Sequence, residues 1–156
     1  MIRVNPFEKA VLRRALRNSM NDIPEFETLF QYVHDLCLPT GDYAIFGSGP
    51  MIIRGWISGA NDLDIICRGE AWEIACNRGV VSYDERHDVS LASHSNGRVT
   101  FGTEWAIGEF DVGGLIDTAE VIDGLPFVQL QHVIAYKEIR ASAKDLVHLE
   151  LCRHAT

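Results

Sequence analysis

The sequence predicts one mixed α/β domain of the α+β class, a small mixed sheet flanked by helices. Three observations lead there. Helical periodicity dominates both ends of the 156 residues, short apolar runs bounded by glycine occupy the middle, and the two patterns alternate without a repeat or low-complexity linker. A chain of this length can bury its own core, removing roughly 70% of its unfolded surface from water. We expect a single domain over 1–156, with an N-terminal helical pair over 1–40 and a core over 41–156.

Asn5-Pro6-Phe7-Glu8 offers an N-cap side chain, proline at the first helical position and a first-turn carboxylate, so a helix of about three turns should follow. A second helix starts near Asp22-Ile23-Pro24-Glu25 and carries Phe26, Leu29, Phe30, Val33 and Cys37 on one face, until Pro39-Thr40-Gly41 ends it. Tyr43-Ala44-Ile45-Phe46, between Gly41 and Gly47, reads as a buried strand. A helix over 50–56, a turn over 58–61, a strand over 62–67 and a helix over 70–78 closed by Gly79 come next. A short strand over 80–83 precedes 84–96, whose polar, irregular pattern reads as a loop with Asp84 to Asp88 solvated. Extended segments are expected over 98–101, 105–112 and 119–122. The last third is helical: Leu130, Val133, Ile134 and Lys137 share a face, and Ser142-Ala143-Lys144-Asp145 resembles a capping box that restarts the helix.

Composition narrows the function. With 14 Lys+Arg against 22 Asp+Glu the net charge is −8, which argues against a grip on duplex nucleic acid through its phosphates. No apolar run approaches the ~18 residues of a membrane span, and charged residues interrupt the start, so neither a membrane segment nor a signal peptide is expected. Cys37, Cys67, Cys76 and Cys152 form no C-x-x-C pair and read as reduced thiols of a cytoplasmic protein. His148, Cys152 and His154 fall at helical spacings that could touch one metal, but zinc sites normally recruit a second ligand pair, and incidental polar residues are the better reading.

The chemistry concentrates in Gly47-Ser48 and, thirteen residues on, Asp62-Leu63-Asp64-Ile65. In a strand Asp62 and Asp64 project from one face while Leu63 and Ile65 bury on the other. Two carboxylates on one face repel, and a hard divalent cation, Mg²⁺ by default, makes the pair tolerable; alternatively Asp62 ends a turn and Asp64 is a solvated strand-end residue. A Gly-Ser pair leaving a buried strand and entering a helix presents backbone N–H groups and a hydroxyl suited to a phosphate. Lys137 lies on an apolar stripe, so it either pairs with an anion or snorkels to water. Arg140 and Lys144, further along, read as solvated.

Ile45-Phe46-Gly47-Ser48, Arg54-Gly55 and Asp62-Leu63-Asp64-Ile65 together resemble the nucleotidyltransferase superfamily with its DNA polymerase β-like fold. Ile122-Asp123-Gly124-Leu125-Pro126-Phe127, Tyr136-Lys137 and Lys144-Asp145-x-x-His148-Leu149 extend the likeness to small bacterial and phage members. The resemblance spans about residues 43–151 and implies a third carboxylate on a neighbouring strand, Asp111 by order and context, with Glu109 as the alternative. It implies an enzyme that moves a nucleoside monophosphate from a triphosphate such as ATP to a hydroxyl of a small molecule, protein or RNA end, releasing pyrophosphate. Asp62, Asp64 and Asp111 would then be catalytic carboxylates holding Mg²⁺ or Mn²⁺, with Gly47, Ser48 and Lys137 on the nucleotide's phosphates. The alternative implication is a weak or inactive binding module in a toxin–antitoxin or phage-defence pair, working as a homodimer or with a protein partner.

Overall fold

A computed structural model describes residues 25–57, 62–104 and 110–155, with side chains described from residue 28 onward in the first span. The helix expected after Asn5-Pro6-Phe7-Glu8 and the turn at 58–61 lie outside these residues. Within the described residues seven strands form one mixed sheet: β1 (Tyr43–Phe46), β2 (Leu63–Cys67), β3 (Val80–Asp84), β4 (Val89–His94), β5 (Val99–Gly102), β6 (Glu120–Ile122) and β7 (Leu125–Phe127). Their order across the sheet is β3-β4-β5-β2-β1-β7-β6. The central pair β1 and β2 is antiparallel, with Phe46 opposite Asp64, while β1–β7 and β2–β5 run parallel. The α+β class is therefore observed.

Among the described residues six helices flank the sheet: α1 (Glu25–Asp35), α2 (Gly49–Ile53), α3 (Gly69–Arg78), α4 (Val112–Asp117), α5 (Leu130–Arg140) and α6 (Ala143–Ala155). On α1, Leu29, Phe30 and Val33 are buried as their spacing predicts. Cys37 leaves the stripe, because the helix ends at Asp35 and Cys37 has a left-handed φ of 52° and is exposed. The core centres on the two middle strands, where Ile45, Phe46, Leu63, Ile65 and Ile66 have no solvent exposure. Near-continuous apolar runs suit strands covered on both faces.

Two expectations need correction. The segment 84–96 is not a loop: Glu85 to Asp88 make a turn, and β4 then pairs with both β3 and β5. Its buried positions are Ala92 and His94, small and polar, so no hydrophobic alternation marks it. His94 is tolerated inside because both ring nitrogens are satisfied, Nδ1 by the Tyr32 hydroxyl at 2.5 Å and Nε2 by the Ala75 carbonyl at 2.8 Å. Gly79 closes α3 as expected, as its C-cap, in an extended conformation with φ −123°. A glycine is needed there because a Cβ would lie 2.5 Å from His94 Nε2. Finally, residues 105–109 lie outside the described set, and 111–112 are not strand: Asp111 is the N-cap of α4.

Near the C-terminal end, Ile122-Asp123-Gly124-Leu125 forms the β6–β7 hairpin, with Asp123 and Gly124 both at positive φ, 51° and 80°. That is the Asp-Gly chemistry of a type I′ turn. β7 then lies against β1 and delivers α5 across the end of the central pair, where Phe46 packs on Tyr136 with ring centroids 5.0 Å apart. This aromatic contact, worth about 1 kcal/mol beyond its buried area, sets Lys137 over the residues that follow β1.

Candidate functional site

Directly after β1 the chain makes a sharp turn into α2. Gly47 takes φ = +60°, and a Cβ there would approach Asp64 Oδ2 to 2.9 Å, so glycine is required by both backbone and space. Ser48 is the N-cap of α2, yet its hydroxyl makes no capping bond. α2 is five residues long with Pro50 in its first turn, which leaves little helix dipole or free N–H for an anion. Whatever binds here meets the Gly47 turn and the Ser48 hydroxyl.

These two residues, with Asp62 and Asp64, line one side of a cleft of about 400 Å³; Arg140, Ser142 and Lys144 line the other. The sheet register explains the acidic wall, because Asp64 stands opposite Phe46 and therefore beside the Gly47 turn. The basic wall comes from the reversal between the last two helices. Ala141 ends α5 with a left-handed φ of 48°, and the capping box expected at Ser142 forms: the Asp145 N–H donates to Ser142 Oγ at 3.2 Å and the Ser142 N–H to Asp145 Oδ2 at 3.1 Å. The reversal swings Arg140 and Lys144 over the cleft.

Electrostatics distinguish the walls. Burial, and then the charge of Asp62, raise the Asp64 carboxyl to about 6, against the opposing pull of Arg140, Lys144 and Lys137. Asp62 and Asp64 are the residues here that could hold a hard divalent cation, which prefers carboxylate oxygens. Asp111, the first choice for a third carboxylate, is not among the residues that line this cleft. Asp111 is exposed at the α4 N-cap, folded against Gly113 and Gly114, where a Cβ at Gly114 would meet its Oδ2 at 2.8 Å. Its charge acts on Arg68, which follows β2 at the end opposite Asp64 and hydrogen-bonds Asp117 at 2.5 Å. On β5, the residue in register with Asp64 is Thr100. Glu109 lies outside the described residues, and among the described residues no three His, Cys, Asp or Glu side chains group as a metal site.

Lys137 neither snorkels nor reaches the cleft. It is fully buried, and its ammonium donates to Ser48 Oγ at 3.0 Å, His148 Nδ1 at 3.1 Å and Asp145 Oδ1 at 3.4 Å. Burial lowers its pKa while the Asp145 charge restores part of the shift. Burial likewise would raise the Asp145 carboxyl, but the Arg140 fork, with Nε on Oδ2 at 2.6 Å and Nη2 on Oδ1, holds it well below the usual carboxylate range. Burial, then the charges of Lys137 and Lys144, push His148 down to about 4, so it is neutral at pH 7. The histidines and cysteine of α6 do not converge: Cys152 packs on Met51 Sδ at 3.5 Å, and His154 faces Glu150 at 3.0 Å. Cys67 is a buried thiol, raised by burial to about 12.

The spacing of Arg140 and Lys144 along a helix says only that they are charged; Arg140, Ser142 and Lys144 become site residues through the α5–α6 reversal. The capping-box motif was the available signal, since it marks where the chain turns back. No helix among the described residues is long and apolar enough to cross a membrane. Comparison with protein-family models, curated proteins and solved structures found no match.

Proposed function

We propose that the chain binds a nucleoside triphosphate with a divalent cation in the cleft after β1 and transfers its nucleoside monophosphate to an acceptor hydroxyl. One observation carries this reading: a single opening sets Asp62 and Asp64 against Arg140 and Lys144, with Gly47 and Ser48 beside them. Carboxylates alone would repel a triphosphate, and cations alone would take any anion. The two walls together match a polyphosphate that carries Mg²⁺ or Mn²⁺.

In this reading Asp62 and Asp64 hold the cation, which supplies charge neutralisation at the phosphates. The Gly47 turn lets a phosphate approach the backbone without a side chain in the way. Lys144 and Arg140 offset charge on the β- and γ-phosphates, and that charge grows as pyrophosphate leaves. The acceptor oxygen bonds to the α-phosphorus, the bond from that phosphorus to the pyrophosphate oxygen breaks, and the acceptor proton goes to water.

The position of Asp111 favours a second reading, a nucleotide-binding module without transfer that works through a partner protein, since this carboxylate stands beside Arg68 and outside the cleft. The two readings separate in one experiment. The chain is incubated with each α-labelled triphosphate, Mg²⁺ or Mn²⁺ and cell extract. Transfer predicts a labelled product that disappears in Asp64→Ala. Triphosphate binding with no labelled product under any condition selects the binding module, and product retained in Asp64→Ala removes the carboxylate assignment.

A further inference from the structure

The buried cluster beneath Ser48 is built more elaborately than packing requires. A lysine with no solvent exposure spends all three of its N–H donors on Ser48, at the start of α2, and on His148 and Asp145 of α6. Asp145 is already satisfied by the Arg140 fork and by Ser142, whose hydroxyl lies 2.7 Å from its Oδ2. Lys137 is therefore not needed to neutralise it. Counting Lys137 and Arg140 against Asp145, with His148 neutral, the cluster keeps one net positive charge directly behind Ser48.

We propose that Lys137 is a positioning residue that aims the Ser48 hydroxyl proton into the cleft as a donor to an anionic phosphate oxygen. This rests on the polyphosphate part of the reading above, not on transfer. The directionality follows from donor counting. Ser48 Oγ accepts from Lys137, and the single lone pair of neutral His148 Nδ1 is occupied by the same ammonium, leaving only a long 3.4 Å contact between Nδ1 and Ser48 Oγ. The Ser48 proton has no good partner on that side. Ser48 Oγ also accepts no proton from the helix backbone, although Ser48 occupies the N-cap position where serine usually does so. The hydroxyl that lines the cleft is thus polarised by a cation behind it, and the phosphate meets the charge of Lys137 only through Ser48.

The test measures binding of inorganic tripolyphosphate, with Mg²⁺, to the whole chain by calorimetry, for the parent, Ser48→Ala, Lys137→Met and the double variant. Each single variant should weaken binding about tenfold. The double variant should weaken it no more than the stronger single one, because Lys137 acts through Ser48. Losses that multiply to about a hundredfold, or a Lys137→Met chain that binds like the parent, overturn the inference. Should Lys137→Met fail to fold, the Lys137 Cε resonance is followed in the parent and in Ser48→Ala. Saturating tripolyphosphate should shift it in the parent alone; no shift in the parent, or an equal shift in Ser48→Ala, overturns the inference. Failure of the parent to bind tripolyphosphate does so as well, whether or not labelled product forms. Binding without any labelled product would instead remove the transfer reading and leave this one standing.

Discussion

Replacing Asp64 with asparagine removes a charge that the ligand-free fold holds under strain, and the consequence is a gain in stability that depends on pH. The carboxyl is raised from 3.8 to about 6 by burial and by Asp62. Between those two values the folded chain binds more protons than the unfolded one, so stability falls as pH rises through this window and levels off above it. At about 1.4 kcal/mol per pKa unit, the ionised folded carboxylate is disfavoured by about 3 kcal/mol relative to its neutral form. The asparagine amide recovers part of this, so Asp64→Asn should gain about 1–2 kcal/mol at pH 7.5, or roughly 3–8 °C in melting temperature for a chain of this size. Below about pH 4 the two chains should converge. Thermal melts of both proteins at a series of pH values provide the assay. Mg²⁺ should raise the melting temperature of the parent and leave the variant unchanged. A variant that melts lower than the parent at pH 7.5, or a gain of equal size at every pH, would refute the charge-strain account of this site.

Two further substitutions test how the walls are built. Gly47→Ala forces a side chain into a left-handed backbone and toward Asp64 Oδ2, so it should lower stability by about 1–2 kcal/mol in urea denaturation; an unchanged midpoint would contradict the close approach. Arg140→Met takes the fork from the fully buried Asp145 and should lower stability by about 3 kcal/mol. Because Asp145 is held below the usual carboxylate range, its contribution is complete above about pH 4 and lost as pH falls further. Acid titration followed by circular dichroism should therefore unfold the variant at higher pH than the parent.

The strand from Tyr43 to Phe46 was legible because four apolar residues between two glycines leave few alternatives, and the capping box at Ser142 was legible because it is a local hydrogen-bond pattern. β4 was not, since its inward residues are Ala92 and a histidine whose burial depends on Tyr32 and Ala75, distant in the chain. The same divide runs through the candidate site. Gly47, Ser48, Asp62 and Asp64 were expected together and share one cleft, because they sit at the paired ends of two antiparallel neighbouring strands. Asp111 was expected to join them and stands instead over the first turn of α4, where Gly113 and Gly114 make room for its side chain.

Local chemistry dictates the alternation of helix and strand, the two carboxylates at the start of β2, the glycine turn beside them and the cap that starts the last helix. How charges distant in the chain meet is set instead by long-range packing. Lys137 could have reached water or an outside anion, and the packing of Tyr136 on Phe46 instead buries it behind Ser48, with Asp145 and His148 closing around it. Arg140 and Lys144 became one wall of the cleft because Ala141 turns the chain left-handed between two helices. Periodicity reports which residues share a face of one element, whereas a site is made by faces of several elements. Their relative placement is set by long-range packing that no short window of sequence contains.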